Sequence, residues 1–297
     1  MLDLFAEQIF NTLVMLFGNG LLSDITDFLE TVNSATSTAL GGGIIADAIA
    51  IFKGLGSALV ILFFLIELLN ETQRDMLTFE RLIVMIIRLL AVTVIIMNLE
   101  SIVIGIEALS SQIFSTVKTM ATGASSSFSI FGQNASTGYQ FDEIADNMRD
   151  ALDAGLKDSL SIILQLLLPW IISRLSFVCA YVVSVGRSLE LIARAIFSPI
   201  GVAQLFEDGT RSSGMRYLKK FAACAMQLAV IAIILYAAGA LNNSLVPTFG
   251  SGYMTINADN IMDILINDTL WTMSAIQFSV IGLILKSQGI CNDILGV

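Results

Sequence analysis

The sequence predicts an all-α polytopic membrane protein with about five transmembrane helices. Hydrophobic residues make up 56% of the chain and charged residues 13%, whereas ordinary soluble domains have about 45–50% and about 25%. A span needs about 20 apolar residues to cross the hydrocarbon core. Five apolar stretches reach or approach that length: 44–69, 82–99, 160–186, 221–241 and 269–286.

Acidic and basic residues are segregated along the chain, and this segregation predicts its orientation. Residues 1–52, 100–158 and 240–268 together hold 17 of the 25 acids but 3 of the 15 bases. Lys and Arg near span ends stay on the cytoplasmic side during insertion, so these base-poor segments are predicted to lie outside. An odd number of crossings then places the N-terminus outside and the C-terminus inside, as in a multi-pass protein of a bacterial cytoplasmic (inner) membrane.

The predicted spans divide the chain into four segments. Helical spacing of apolar residues, with acids on the other face, predicts amphipathic extracytoplasmic helices near the N-terminus. The four segments are 1–43 (amphipathic helices and linker), 44–99 (first transmembrane hairpin), 100–159 (extracytoplasmic loop with amphipathic helices) and 160–297 (three-span bundle with a cytoplasmic segment at 198–220).

Glycine, proline and hydroxyl residues predict where the helices end. The Ser/Thr-rich run 33–38, followed by three glycines at 41–43, predicts a flexible linker into the first span. Pro169 is expected to kink or interrupt the helix that reaches it, because proline lacks the N–H that a helix needs. Pro199 and Gly201 are expected to end the long helix that follows.

Several classes of chemistry are excluded by composition. The chain has no His, which excludes His-ligated zinc or haem and His-based acid–base catalysis. Cys179, Cys224 and Cys291 fall within spans or at their cytoplasmic ends, so a disulfide framework is not expected. No Walker loop and no nucleophile paired with a base is found. The sequence therefore predicts a protein that is not an enzyme and takes no cofactor.

Ionisable residues within spans are the first candidates for a functional site. Each costs at least about 2.5–3.5 kcal/mol at mid-membrane, and the chain has Lys53, Glu67, Arg88 and Arg174 in such positions. Arg88, Arg174 and Glu67 are candidates for a polar passage or an inter-subunit contact. The simpler explanation is that Arg88 reaches to the interface and Arg174 lies at the outer boundary. That explanation is favoured for Lys53, Glu67 and Arg88, and both remain open for Arg174.

Small residues form a stripe along the first span. Ala46, Ala50, Gly54 and Ala58 recur every four residues, which places them on one helix face. Small side chains allow another helix to approach closely in a membrane. The stripe therefore predicts helix packing, and with it a homo-oligomer.

The segment 187–220 carries the most specific pattern in the chain. A helix leads to an Ala/Pro-containing turn, and an aromatic–Leu pair precedes a span rich in small residues; the recurrent positions are Arg187, Pro199, Phe206, Thr210 and Arg211. This pattern resembles the TrbL-type (VirB-class) polytopic inner-membrane subunits of conjugative type IV secretion systems. The predicted number of spans, their orientation and a longest loop outside between spans two and three are also similar to that family.

The resemblance implies a membrane channel or platform subunit that assembles with itself in the phospholipid bilayer. Its expected partners are other type IV secretion membrane subunits and cytoplasmic ATPases, with transient contact to the translocated DNA or protein. Two other functions stay open: a secondary transporter or small ion channel, and an assembly factor or lipid-interacting scaffold. The basic stretch 211–220 can touch DNA, an ATPase or anionic lipid, although ordinary topological charge explains it without any ligand and is the favoured explanation.

Overall fold

A computed structural model describes residues 20–73, 78–125, 156–208, 212–245 and 269–297. Within these ranges every regular element is helical, which confirms the predicted all-α class. The helices are α1 (Gly20–Leu40), α2 (Gly43–Gln73), α3 (Phe79–Met97), α4 (Leu99–Ser125), α5 (Leu156–Ala203), α6 (Leu205–Asp208), α7 (Ser213–Leu245) and α8 (Thr269–Leu295).

Several helices are long and apolar enough to cross a membrane. Within the described residues, four helical segments meet this criterion by themselves: Gly43–Gln73, Trp170–Ala203, Ser213–Ala238 and Ser274–Leu295. Helices α3 and α4 pass the same test only together, as a pair bent by 61°. The chain therefore has the apolar helices of a multi-pass membrane protein, with four candidate spans among the described residues, or five when the bent pair is counted.

The break between α3 and α4 lies at Asn98. The Asn98 side-chain amide donates to the Val94 carbonyl at 2.9 Å, and its backbone N–H donates to the same carbonyl at 3.1 Å. The backbone bond is the ordinary helical one, and Asn98 is the C-terminal cap of α3. At the other end, the Thr78 hydroxyl caps α3 by accepting from the Arg81 backbone N–H at 3.4 Å.

The described residues fall into two compact units. Unit 1 draws on 20–29, 115–125, 156–183, 231–245 and 269–286, and unit 2 on 30–73, 78–114, 184–208, 212–230 and 287–297. Unit 2 has an apolar core to which α1 to α7 all contribute. Its members include Leu40, Val60, Val92, Ile96, Leu99, Val103, Leu191, Ala195, Leu205, Phe206 and Phe221.

The linker predicted at 33–43 is wrong for most of its length, because α1 continues to Leu40. Hydroxyl side chains are satisfied within the helix: Thr36 donates to the Val32 carbonyl at 2.7 Å and Thr38 to the Ser34 carbonyl at 2.8 Å. Thr36 and Asn33 are also buried against other helices. Tertiary packing therefore overrides the low helix propensity of this Ser/Thr-rich run.

The interruption predicted at Pro169 and the helix end predicted at Pro199 and Gly201 are not found, while a kink at Pro169 stays a prediction. Helix α5 is uninterrupted through Pro169 and continues past Pro199 and Gly201 to Ala203. At Pro199 the missing N–H leaves the Ala195 carbonyl without its usual donor, and the Ser198 hydroxyl donates to that carbonyl at 2.6 Å. Neighbouring Ser and Thr side chains commonly satisfy such carbonyls in membrane helices.

Glycines allow close backbone approach around the C-terminal end of α5. A Cβ atom on Gly56 of α2 would lie 2.7 Å from the carbonyl oxygen of Pro199. A Cβ atom on Gly201 would lie 2.6 Å from the ring of Tyr217, and the Tyr217 hydroxyl donates to the Arg194 carbonyl. These contacts hold α2, α5 and α7 together where α5 ends.

Candidate functional site

The centre of unit 2 contains a buried ion pair between α4 and α5. Arg187 Nη2 lies 3.0 Å from Glu107 Oε2 and 3.2 Å from Glu107 Oε1. The two side chains are 0% and 2% exposed, respectively. Glu107 lies on a buried face of α4 that is otherwise mostly apolar, together with Leu99, Val103, Ser110 and Phe114. The interface between α4 and α5 therefore contains an ion pair on a face of α4 that is otherwise mostly apolar.

Arg187 also binds the backbone of a third helix, α7. Its Nε donates to the Cys224 carbonyl at 3.1 Å and its Nη2 donates to the Ala225 carbonyl at 2.7 Å. The Ser110 hydroxyl of α4 donates to the same Ala225 carbonyl. The residues around these carbonyls on α7 are small, so the guanidinium can reach the backbone. Arg187 therefore joins α4, α5 and α7 through charge-assisted hydrogen bonds.

Further buried polar contacts surround this pair. Thr36 of α1 donates to Ser188 at 2.7 Å, Asn33 donates to Ser111 at 2.7 Å, and Gln227 donates to Ser287 at 2.9 Å. These contacts bring α1 and α8 to the same region. We define the buried polar layer as Asn33, Thr36, Glu107, Ser110, Arg187, Ser188, Cys224, Ala225, Gln227 and Ser287.

A second charged group lies further along α5. Glu190 pairs with Arg194 four residues on, and Arg194 Nε lies 2.9 Å from Glu190 Oε1. Gln288 of α8 donates to both Glu190 oxygens at 3.1 Å. By its position on the helix, Glu190 can pair with either Arg187 or Arg194. In the structure it pairs with Arg194, because Arg187 is already paired with Glu107.

The predicted candidates Arg88 and Glu67 contact each other. Arg88 Nη1 lies 3.4 Å from Glu67 Oε1 and donates to the Phe206 carbonyl at 3.2 Å. Its guanidinium carbon is 5.9 Å from the centroid of the Phe206 ring. Both charged side chains are about one-third exposed. Lys53 likewise pairs with Glu100 at 3.3 Å.

Arg174 lies in unit 1, on an exposed face of α5. Its guanidinium carbon is 5.8 Å from the centroid of the Trp170 ring one turn earlier, a cation–π contact. An arginine on a Trp is typical of a helix at a membrane–water interface. Whether Arg174 contributes to a polar passage stays a prediction.

Three of the five residues that carry the family resemblance are buried or in close contact in unit 2. Arg187 centres the buried polar layer, Pro199 packs against Gly56, and Phe206 is buried with its ring 6.3 Å from that of Phe64. Thr210 and Arg211 lie outside the described residues.

Among the described residues, the small-residue stripe of α2 is mostly exposed. Ala50, Gly54 and Ala58 are exposed and Ala46 is half-buried, and a Cβ atom on Gly54 would meet nothing within 4 Å. The face of α2 that packs inside the unit carries Ile49, Gly56 and Val60. Packing of the stripe against another chain stays a prediction.

Sequence reasoning missed Glu107, which it assigned to an outer segment, and the role of Cys224 and Ala225 as backbone acceptors. One signal for Glu107 exists: buried positions on α4 recur every three or four residues, and Glu107 falls in the middle of that series. Within the described part of the chain, no group of three or more Cys, Asp or Glu side chains could hold a metal ion.

The arrangement fixes helices and presents no nucleophile activated by a base. Burying the two charges costs desolvation free energy, and removing one partner costs more, because the remaining buried charge is uncompensated.

No family model matches this chain, and a search of characterised proteins returns no match.

Proposed function

We propose that this multi-pass protein is a channel or platform subunit of a conjugative type IV secretion machine. It assists DNA or protein translocation across a bacterial cytoplasmic membrane. Under this proposal it forms a homo-oligomer and contacts other membrane subunits of the machine. Energy comes from separate cytoplasmic ATPases, and the subunit itself is neither an enzyme nor a cofactor protein.

The observation that carries this proposal is the place of the family-like residues in the fold. The resemblance rests on a short segment, and Arg187, Pro199 and Phe206 of that segment all make interior contacts between helices. Residues that recur in a family because they hold its fold are expected at such contacts.

The surface of α2 supports assembly within a bilayer. Beside the small-residue stripe, α2 exposes large apolar side chains such as Ile51 (74%), Leu62 (49%) and Leu69 (59%). Lipid chains and the helices of neighbouring subunits both suit such a face. The stripe then provides the position at which a second helix comes closest.

A secondary transporter or small ion channel is the second candidate. The bent pair α3–α4 is the observation in its favour, because transporters build their sites at interrupted helices. A transporter made of two repeats needs a corresponding break in its other half. Among the described residues, α3–α4 is the one bent pair that passes the span test, so the transporter is the weaker candidate.

DNA transfer between cells tests the proposal. A donor that lacks this gene is complemented with the wild-type gene, with Arg187→Ala or with Lys286→Ala. Lys286 is an exposed basic residue of α8, outside the stretch 211–220, and serves as the control. We expect transfer to vanish in the deletion strain, to return with the wild type and with Lys286→Ala, and to fall at least about tenfold with Arg187→Ala, since loss of a buried charge partner costs several kcal/mol.

Protein levels in the membrane are measured in parallel by immunoblot. Undiminished transfer from the deletion strain would contradict the secretion role for the element that carries the gene. Uptake assays with reconstituted protein would then test the transporter.

A further inference from the structure

The basic side chains of unit 2 differ in whether they have an acidic partner. On α2 to α5, every basic side chain that the structure describes in this unit contacts a carboxylate. On α7, Arg216, Lys219 and Lys220 form no ion pair with an acid of the described residues. The pairs on the other helices are Lys53–Glu100 at 3.3 Å, Arg81–Glu71 at 2.7 Å, Arg88–Glu67 at 3.4 Å, Arg187–Glu107 at 3.0 Å and Arg194–Glu190 at 2.9 Å.

The three bases of α7 lie together on one exposed side of the helix. Their spacing is i, i+3 and i+4, which brings side chains to the same helix face, and all three are exposed. We define Arg216, Lys219 and Lys220 as the basic face. Like charges at this spacing repel each other, and the first turns of a helix already carry the positive end of its dipole. An anionic ligand would relieve both interactions.

The C-terminal end of α8 lies beside one member of the basic face. Lys219 Nζ is 3.9 Å from the point that a Cβ atom on Gly296 would occupy. The backbone N–H groups of Gly296 and Val297 donate to the Asp293 and Asn292 carbonyls at 3.3 Å and 3.0 Å, so these two carbonyls already have donors. The last turn of α8 therefore orders the Lys219 side chain without providing it with a carboxylate.

Charge along α7 places the basic face at the edge of a bilayer. Helix α7 contains a candidate span, and residues 221–245 include no Asp, Glu, Lys or Arg. At 1.5 Å per residue this uncharged run is about 37 Å long, which exceeds the hydrocarbon core by about 7 Å. Long basic side chains can bridge such an excess by extending to the interface. The bases that directly precede the run thus reach the level of the lipid headgroups.

The chemistry at that level favours one kind of partner. Arg and Lys both bind phosphate groups, and clusters of bases next to a span attract anionic lipids. Phospholipid phosphates are present wherever a span enters the bilayer, whereas DNA or an acidic protein must be brought there. Topological charge accounts for the number of bases on one side of a span, and a lipid contact accounts for what those bases bind after insertion.

We propose that the basic face binds the phosphate groups of anionic phospholipids in the leaflet that α7 enters. The bound lipid anchors the N-terminal end of α7, the helix whose Cys224 and Ala225 carbonyls accept from Arg187. This contact is compatible with a secretion subunit and with a transporter. It therefore goes beyond the proposed function and does not depend on it.

Native mass spectrometry of the purified full chain tests this proposal. The protein is equilibrated in mild detergent with equal amounts of phosphatidylglycerol and phosphatidylcholine that carry the same acyl chains, and the ratio of the two lipids that stay bound is measured. A neutral triple variant carries Arg216→Gln, Lys219→Gln and Lys220→Gln. A charge-retaining variant carries Arg216→Lys, Lys219→Arg and Lys220→Arg, and Lys286→Gln removes an exposed base elsewhere.

We expect the wild type to prefer phosphatidylglycerol and the neutral triple variant to lose at least about tenfold of that preference, since each base near a membrane surface contributes about fivefold. The charge-retaining variant and Lys286→Gln are expected to keep the preference. In detergent without phospholipid, all variants are expected to unfold close to the wild-type temperature. The single variants Lys219→Gln and Lys220→Gln guard against a folding defect in the triple variant.

Three results would overturn the lipid site. Equal lipid ratios for the wild type and the neutral triple variant would show that these bases bind no lipid. Loss of the preference in the charge-retaining variant would show that charge is not what is recognised. Release of the lipid by inorganic phosphate or by a short single-stranded DNA, each at the concentration of the lipid, would assign the basic face to a free anion or to nucleic acid. DNA transfer between cells is not part of this readout, so failure of the secretion role would leave the lipid site standing.

Discussion

Glu107→Gln is expected to lower the free energy of unfolding by about 3–5 kcal/mol, because it leaves Arg187 charged and buried without a counter-charge. The Gln amide can still accept one hydrogen bond, but it cannot neutralise a guanidinium that is 0% exposed. Arg187→Met is expected to cost a similar amount, since the Glu107 carboxylate then loses its charge partner. Thermal and denaturant unfolding of the purified protein in mild detergent measures both effects.

The double variant Glu107→Met with Arg187→Met tests whether the loss of stability comes from an uncompensated buried charge. Both charges are then absent and two apolar side chains of related volume fill the site, which is often neutral or stabilising in other proteins. We therefore expect the double variant to be clearly more stable than either single variant. Two single variants as stable as the wild type would show that the pair is not buried as described. Exposed Arg216→Met is the matched control and is expected to change stability little.

Gly56→Ala is expected to destabilise the protein by about 1–3 kcal/mol, the usual cost of overpacking. The new Cβ would lie 2.7 Å from the Pro199 carbonyl oxygen and 2.9 Å from the carbonyl carbon. Both are backbone atoms of α5, so α2 or α5 must move for the methyl group to fit. The same unfolding assay in detergent measures the loss.

Gly54→Ala is the matched control, two residues earlier on the same helix. Nothing lies within 4 Å of a Cβ atom at Gly54, and alanine is favoured over glycine in a helix by about 0.8–1 kcal/mol. We expect Gly54→Ala to be neutral or mildly stabilising in detergent. Equal losses at both positions would contradict the close approach of α2 to Pro199.

The helical class and the apolar spans could be predicted because they depend on local composition. Helix ends were harder, since Ser198 satisfies the carbonyl that Pro199 leaves free, and Thr36 satisfies its own hydroxyl within α1. Such compensation depends on rotamers and on neighbouring helices. It therefore leaves little trace in a pattern of residue types.

The candidate site was predictable only in part. Arg187 was noticed through a family resemblance, and Arg88 and Glu67 through their charge within apolar stretches. Glu107 was not, because acids in a base-poor segment were taken as solvated outer charges, whereas the structure buries Glu107 against Arg187. Cys224 and Ala225 take part through their carbonyls, a role that side-chain chemistry does not reveal.

Because the acceptors for Arg187 on α7 are backbone carbonyls, natural selection can act on this contact at position 225 only through side-chain bulk, whereas at position 224 the thiol also donates to the Arg187 carbonyl at 3.7 Å. At position 225 any small residue presents the same oxygen, so functional clones from a saturation library should carry Gly, Ala, Ser or Cys there interchangeably. Position 187 has no such latitude, since only a guanidinium offers donors to the carboxylate and to both carbonyls at once. The same contact is thus tolerant of change on one helix and intolerant on the other.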